Sequence, residues 1–518
     1  MSLRVAIIGA GISGLVSIKQ CLEEGIEPVC FEALGHFGGQ WHYTDPDPET
    51  GKVVSSIYRS LIINTSRETM MMSDFPMDPK VYAMYTHNSK VKKYFESYAE
   101  FFKIQPYIRL NHRVRRALPE GDGKWTVEVE SNGEVTVDTY DAVFVCTGHH
   151  STPNVPDWED ADKFEGELIH SHYYRNTVKF REKDVAVVGI GNSGADISAE
   201  LSTCTKSTHL ITRSGSWIWP RFLFGQPFEN VGSRFMLNFM PRPISIAVTQ
   251  QVLNFTLGTI PQELKPEHNL LAAHPTIRSD LFERIRTGTI TPHRGSIKRF
   301  TKKGIELTNG EIVEPLDAVV AATGYTLNFP FLPKGIVQSD EDEDGKENWA
   351  NLYRLIMAPG HPGLYFIGLC QPLGALMPVS EMQARWVTAV MKGEIPLPSP
   401  EKMHEDIAAY QNNLRKVFVK SPRHTLEVEF FPYMDMLARD LGAQVTAARF
   451  LSTFGLWQGL KTAWSAYFGP PSAVQYRFFG KGKKEELARL VVQRLARKDD
   501  EGMSDEEVAE VERYRPSN

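Results

Sequence analysis

The chain has 518 residues, too many for one small core, and its length suggests two or three domains. Hydrophobic residues at 42% and charged residues at 23% are ordinary globular values, and Lys+Arg 57 against Asp+Glu 63 (net charge −6) exclude a bulk electrostatic case for nucleic acid. Five cysteines, Cys21, Cys30, Cys146, Cys204 and Cys370, form no C-x-x-C pair; this excludes a zinc knuckle and a redox dithiol and points to a reducing, cytoplasmic compartment.

The first strand is expected over Arg4–Ile8, which leaves no room before it for a signal or transit peptide. Within Val5-Ala-Ile-Ile-Gly-Ala-Gly-Ile-Ser-Gly14, residues Gly9, Gly11 and Gly14 make a G-x-G-x-x-G turn opening a helix over 13–24. Such a turn lets backbone approach a pyrophosphate and aims a helix N-terminus at it. After a strand over Glu27–Phe31, Glu32 stands 18 residues beyond Gly14, where an acid binds a ribose hydroxyl; the plainer reading is a surface acid at a strand end. In Gly35-His-Phe-Gly-Gly-Gln-Trp41, Gly38 and Gly39 permit close backbone approach, and Gln40 and Trp41 suit a flat ring or a ribitol chain. A glycine loop beside a core Trp is the alternative.

Asn64-Thr65-Ser66-Arg67 reads as the capped start of a helix from Arg67, and Met70-Met71-Met72 as gap-filling core or pocket lining. Residues 125–130 and 136–138 read as a hairpin across Ser131-Asn-Gly133, before 141–148 returns to the sheet. Residues 147–157 read as a linker.

The glycine turn then recurs as Val185-Ala-Val-Val-Gly-Ile-Gly-Asn-Ser-Gly194, 180 residues after the first, with Gly189, Gly191 and Gly194 in the same places. Ser193 precedes Gly194 as Ser13 precedes Gly14. The closing strands echo each other too, Asp141-Ala-Val-Phe-Val-Cys-Thr-Gly148 and Asp317-Ala-Val-Val-Ala-Ala-Thr-Gly324. The second strand of this unit, 209–213, ends in Thr212-Arg213-Ser214; Arg213 lies 19 residues beyond Gly194. A guanidinium and a hydroxyl there suit a 2′-phosphate that a carboxylate would repel, against the plainer reading of a solvated arginine. The first unit is therefore read as an FAD site and the second as an NADPH site, which suggests electron traffic between two cofactors.

Residues 216–288 interrupt the second unit with an apolar insert containing Phe222-Leu-Phe224 and Phe235-Met-Leu-Asn-Phe-Met240. A substrate passage, a face resting on a membrane and an ordinary helical subdomain all remain open. Strands near 297–300 and 305–308 lead back to 317–324. Asp340-Glu-Asp-Glu-Asp344 reads as a solvated acidic turn, Gly363-Leu-Tyr-Phe-Ile-Gly368 as a strand, and 381–391 as an apolar-faced helix. Leu487, Leu490, Val491 and Leu495 keep a helical spacing, and the charged tail beyond them reads as a surface helix with a frayed end. No run of about 18 apolar residues reads as a membrane span.

Phe164-Glu-Gly166-Glu-Leu-Ile-His170-Ser-His-Tyr-Tyr174 fits the F-x-G-x-x-x-H-x-x-x-Y fingerprint of the flavin-containing monooxygenases, placed between the two glycine turns as in that family. Ala322-Thr-Gly-Tyr325, Gly38-Gly-Gln-Trp41, Glu381-Met-Gln-Ala-Arg-Trp386 and Phe468-Gly-Pro with Tyr476-Arg477 also resemble family segments. The resemblance runs from about Val5 to Arg497.

It implies an α/β architecture of two Rossmann-like domains: an FAD domain (1–152 and 325–450) interrupted by an NADPH domain (153–324), whose mainly helical apolar insert covers about 216–288, with a C-terminal extension over 451–518. By the same resemblance, NADPH reduces FAD, the reduced flavin captures O2 as a C4a-hydroperoxide, and a nucleophilic nitrogen or sulfur of a small molecule takes the distal oxygen. Gly9, Gly11, Ser13, Gly14, Glu32, Gly39, Gln40 and Trp41 would hold FAD. Gly189, Gly191, Ser193, Gly194, Thr212 and Arg213 would hold NADPH, with Gly324 among the cofactor-binding residues. Asn64 matches the family's active-site Asn and would hydrogen-bond the flavin adduct or the NADP+ beside it, with Thr65 also among the cofactor-binding residues; a neutral amide can orient a peroxide without protonating it. His170 either sets linker geometry or is a packed structural histidine.

No metal site is expected. The charged tail departs from the hydrophobic end of the animal microsomal members, so no transmembrane anchor is expected. Peripheral contact with a membrane (the endoplasmic reticulum if eukaryotic), through the insert or through 451–468, stays open, as does a homodimer. The alternatives are a Baeyer–Villiger monooxygenase, whose fingerprint ends in Trp followed by Pro or Asp where this chain has Tyr174-Arg175, and an NADPH oxidase releasing H2O2.

Overall fold

A computed structural model of the protein describes residues 2–48, 50–51, 53–338, 348–419, 421, 424–498 and 500–516. The acidic segment at 340–344 lies outside the described residues.

Two five-stranded parallel sheets carry the fold. In the first, Arg4–Ile8 is central, flanked by Glu27–Phe31 and then Ile108–Arg109 on one side, and by Ala142–Val145 and then Leu364–Phe366 on the other. Ile7 lies opposite Cys30 and Phe144, so apolar side chains stack through the sheet. Strands covered on both faces need continuous apolar runs, which the Val-Ala-Ile-Ile and Ala-Val-Phe-Val stretches supply. The second sheet repeats the plan around Asp184–Val188, between Ser207–Thr212 and Ala318–Ala321, with Thr291–Arg294 and Glu167–His170 at its edges. Both expected units are present, and the first sheet is completed by a strand from beyond the second unit.

The hairpin is longer than its sequence suggests, Trp125–Ser131 pairing with Glu134–Tyr140, and Arg113–Pro119 adds a third strand. Met70, Met71 and Met72 are core, at most 1% exposed. The helix Leu376–Met391 packs on the first glycine-turn helix, Ile12–Glu23, and is buried nearly all round, where one apolar face was expected. Within 216–288, three two-residue strands precede the helices Arg234–Phe239 and Arg242–Leu257, and a fourth, Thr276–Ile277, precedes the helix Leu281–Arg286.

The described part of the C-terminal tail is more ordered than the expected frayed end. After Glu485–Arg497 the chain forms a second helix, Asp505–Glu512, opened by a capping box of Ser504 and Glu507. Glu507 also takes a buried hydrogen bond from Arg494 Nε at 2.8 Å, and Asp500 pairs with Arg67 of the first unit. Glu507 and Asp500 are thus partnered in the fold, which a one-dimensional reading of a charged, polar tail does not reveal.

Beneath it lies a buried ion cluster. Asp74, fully buried, accepts from Arg477 and Lys484 at 2.9 Å each and from Lys19, while Glu381 accepts from Arg477, Ser73 N and Ser73 Oγ. Glu23 pairs with Lys19, giving three acids for three cations. Burial alone would raise the Asp74 carboxyl; Arg477, Lys19 and Lys484 overcome that and hold it well below the usual range.

Candidate functional site

Parallel α/β sheets bind ligands beyond the carboxyl ends of their strands. There, Gly9 adopts φ +101°, and a Cβ on it would lie 2.8 Å from the Cys146 carbonyl oxygen. A Cβ on Gly14 would meet the Gly9 carbonyl at 2.0 Å, so helix and strand pack at a distance only glycine allows. In the second unit Gly189 has φ +107°, and a Cβ on Gly194 would lie 1.9 Å from the Gly189 carbonyl oxygen. Neither Gly11 nor Gly191 caps its helix with a side chain, and no acid sits in either first turn. Both helix N-termini therefore keep their positive ends uncapped by side chains, and they fit the pyrophosphates of two dinucleotides.

Glu32 is 7% exposed at the end of its strand, and its oxygens accept from Ala10 N at 2.8 Å and Leu34 N at 2.9 Å. Those bonds hold the carboxylate against the glycine turn, which rules out a free surface acid. A Cβ on Gly39 would lie 2.8 Å from Gly11 Cα, so the second glycine loop rests on the first. The Ser13 hydroxyl lies 3.2 Å from that of Ser380, which brings the 376–391 helix to the same turn. Gln40 bonds to the Ser56 hydroxyl and accepts from Ser55 Oγ, and Trp41 is half-buried against the core.

In the second unit the strand ends at Thr212, one residue before its expected end. Thr212 is buried and its Oγ1 accepts from Gly215 N at 3.0 Å, closing the turn that presents Arg213. Arg213 is exposed and forms no ion pair among the described residues, leaving its guanidinium for an anion. Gly324, at φ +87°, lies at the crossing between units, where Tyr325–Thr326 pairs antiparallel with Thr152–Pro153.

The fingerprint segment straps the two units together. A Cβ on Gly166 would meet Phe164 Cζ at 2.5 Å and the Asp317 carbonyl at 2.7 Å. His170 is 3% exposed, and its Nδ1 accepts from His172 N at 3.0 Å; burial pushes its imidazole down to about 4. Of the two readings of His170, packing is the one its burial supports. Tyr174 is fully buried with its ring edge-on to Tyr58, and the Arg175 guanidinium donates to the carbonyls of Ser55, Ile57 and His172.

Asn64 does not cap the short helix Arg67–Met70. The cap residue is Ser66, and its hydroxyl bonds Glu229 at 2.7 Å and lies 3.1 Å from Thr69 Oγ1. Asn64 and Thr65 are half-buried, and Asn64 Oδ1 accepts from Arg221 Nη2 at 2.7 Å. The stretch around it also reaches the second unit through Tyr58, whose hydroxyl donates to Asp196 at 2.6 Å on the helix Asn192–Leu201. Burial raises the Glu229 carboxyl to about 7, against the lowering effect of the Ser66 hydroxyl and amide. Sequence reasoning missed Arg221 and Glu229. The available signal was a charge on either side of the uncharged stretch 222–228, Arg221 before it and Glu229 after it.

Two glycine-turn sheets, one with a held carboxylate and the other with an unpaired guanidinium, define a two-dinucleotide oxidoreductase scaffold. The chain belongs to the flavin-binding monooxygenase-like family, whose model matches residues 2–510. It is 38% identical to flavin-containing monooxygenase 5 of Cavia porcellus over 493 residues, covering 93% of this chain and 89% of that one. It is 37% identical to dimethylaniline monooxygenase [N-oxide-forming] 2 of Oryctolagus cuniculus, covering 94% and 90%. Among solved structures it resembles S-allyl-L-cysteine S-oxygenase from Allium sativum, with a TM-score of 0.64 and 27% identity over 85% of this chain and 88% of that one. The protein is a flavin monooxygenase.

Proposed function

We propose that the protein uses NADPH and O2 to place one oxygen atom on a nucleophilic nitrogen or sulfur of small molecules, with FAD in the first unit and NADPH in the second. The carrying observation is the pair of glycine turns with opposite charge beside them, Glu32 at one and Arg213 at the other. An N-oxide-forming relative and an S-oxygenase neighbour support both heteroatoms. The reaction balances as substrate, O2, NADPH and a proton giving oxygenated substrate, NADP+ and water.

When bound, the flavin supplies the reductive activation of O2, and the chain's own groups bind, orient and keep the site dry. Gly9, Gly11, Ser13, Gly14, Glu32, Gly39, Gln40 and Trp41 hold FAD. Gly189, Gly191, Ser193, Gly194, Thr212 and Arg213 hold NADPH, and Gly324 leaves room at the crossing. Asn64, with Thr65, faces the reacting end and offers an uncharged amide. We assign 1–152 and 325–450 to the flavin unit, 153–324 to the NADPH unit with its insert at 216–288, and 451–518 to the extension.

The protein also rests on a membrane surface. Trp457 and Trp464 on the helix Ala447–Phe468 are 83% and 65% exposed, and Phe224 and Phe255 of the insert 82% and 78%. The two regions meet where Phe235 stacks on Phe468 at 4.9 Å. Between Glu229 and Glu263, and between Asp440 and Glu485, the sequence has no acidic residue, which suits a face laid on anionic headgroups. No helix among the described residues is long and apolar enough to cross a membrane.

The test of the activity is turnover of a tertiary amine, a thioether and a ketone by the purified holoenzyme with NADPH. N-oxide and sulfoxide in step with NADPH loss are expected. Ester from the ketone alone, or H2O2 alone, would overturn the reading.

A further inference from the structure

The role inferred here for Arg221 rests on the proposed placement of Asn64 at the reacting end of the flavin site. An amide carries an acceptor and a donor on one rotor, so its usefulness depends on which end is turned to the cofactor. Arg221 Nη2 lies 2.7 Å from the Asn64 side chain. A guanidinium can only donate, so the atom facing it must be the amide oxygen. The Asn64 Nδ2 group makes no hydrogen bond among the described residues, so its N–H bonds remain available.

Arg221 is itself fixed from several sides. Its backbone N donates to Ser279 Oγ at 3.1 Å, and its carbonyl receives the Tyr85 hydroxyl at 2.5 Å and Phe228 N at 2.8 Å. Its guanidinium is 4.0 Å from Asp196 Oδ1, on the helix opened by the second glycine turn. Eight residues further on, Glu229 accepts from Ser66 N through both oxygens at 3.0 Å and from Ser66 Oγ at 2.7 Å. The insert thus grips the Asn64 loop at two points, one on the side chain and one on the backbone two residues away.

We propose that Arg221 is a positioning residue that locks the Asn64 amide with its oxygen turned away, so that Asn64 meets the flavin site only as a hydrogen-bond donor, and that the Glu229–Ser66 contact holds the loop in register for this. The insert is then part of the oxygenation machinery, acting through Asn64.

The test compares wild type, Arg221→Met, Arg221→Lys, Asn64→Ala and the Arg221→Met/Asn64→Ala double variant as FAD-loaded holoenzymes. Two quantities are read, H2O2 released per NADPH with a thioether present, and NADP+ affinity from perturbation of the oxidised-flavin absorbance. A third readout, the crystal structure of Arg221→Met, gives the Asn64 rotamer directly. Losing a charge-assisted hydrogen bond should raise H2O2 per NADPH by about threefold or more in Arg221→Met, with lysine restoring much of the loss. In the Asn64→Ala background the second substitution should add nothing, because the partner it positions is gone. The Asn64 amide should turn or spread over rotamers in the Arg221→Met crystal.

An equal effect of Arg221→Met with and without Asn64, or an unmoved amide in the crystal, would overturn the positioning role and leave Asn64 in place. Unchanged coupling in Asn64→Ala would instead overturn the placement of Asn64. If Arg221→Met fails to fold, the Arg221→Lys structure and its coupling decide the same question, since lysine keeps a donor without the fork geometry.

Discussion

At the scale of single residues, Arg213 is the side chain we propose for the coenzyme choice. It stands just past a strand that ends at Thr212, exposed and without an ion pair among the described residues. A guanidinium so placed can take a phosphate bidentately, which a glutamine cannot. Arg213→Gln should raise the KM for NADPH about tenfold or more while barely changing kcat or the KM for NADH. Steady-state kinetics with both coenzymes check this, and equal losses with the two would refute a 2′-phosphate contact. Glu32 shows the opposite arrangement. Its carboxylate is held by two backbone N–H groups, so it is the fixed wall of its own glycine turn. Sequence spacing alone put both residues just past the second strand of their units, where the structure has them, because strand, turn and helix lengths in such a unit are tightly constrained.

At the scale of elements, two contacts carry testable energetics. The first is Glu229 against the Asn64 loop. Burial lifts its carboxyl from 4.5 in the ordinary case to about 7, with Glu68 adding to the rise and Ser66 opposing it. A raised acid favours folding when protonated, so its contribution is complete below about pH 4.5 and is lost as pH rises through about 7. Glu229→Gln lacks that loss. Its thermal midpoint should gain on wild type between about pH 5 and 7.5 and run parallel to it above. A difference independent of pH would contradict the buried-carboxyl account.

The second contact is the Asp74 cluster, where three acids meet three cations. Asp74→Asn leaves three buried cations facing two acids, and should destabilise the protein by about 3–5 kcal/mol in denaturant unfolding. A loss within about 1 kcal/mol would mean that water reaches the cluster. The sequence showed the pieces of this cluster, Glu381 and Arg477, only as family-like segments. The cluster assembles from positions as far apart as Lys19 and Lys484, and neither periodicity nor spacing carries information over that distance.

At the scale of the whole molecule, local patterns were legible and cross-chain contacts were not. Both glycine turns, their strands and the closing repeats follow from short-range rules about burial and backbone freedom, and the structure holds them. The charged tail misled because composition alone says nothing of partners: Arg494 and Arg67 await Glu507 and Asp500 elsewhere in the fold. The same limit hid Arg221, whose role depends on an amide 157 positions earlier in the chain.

The apolar face is also a whole-molecule property, built where the insert meets the 447–468 helix, which breaks at Gly455 with φ 73°. Replacing Trp457 and Phe255 together by serine should weaken co-sedimentation with phosphatidylserine-containing vesicles about tenfold or more, leaving turnover of a water-soluble thioether intact. If wild type ignores vesicles, and the double variant instead loses a dimer seen by sedimentation, the face joins two copies of this chain.

In the proposed reaction one atom of O2 reaches a heteroatom of the substrate for each NADPH consumed. The most direct measurement is turnover of a thioether and of a tertiary amine under 18O2, with product mass, NADPH loss and H2O2 recorded together. One 18O in each sulfoxide or N-oxide and one NADPH consumed per product is the predicted result. NADPH consumed with all the label recovered in H2O2, or product oxygen drawn from water, would contradict it.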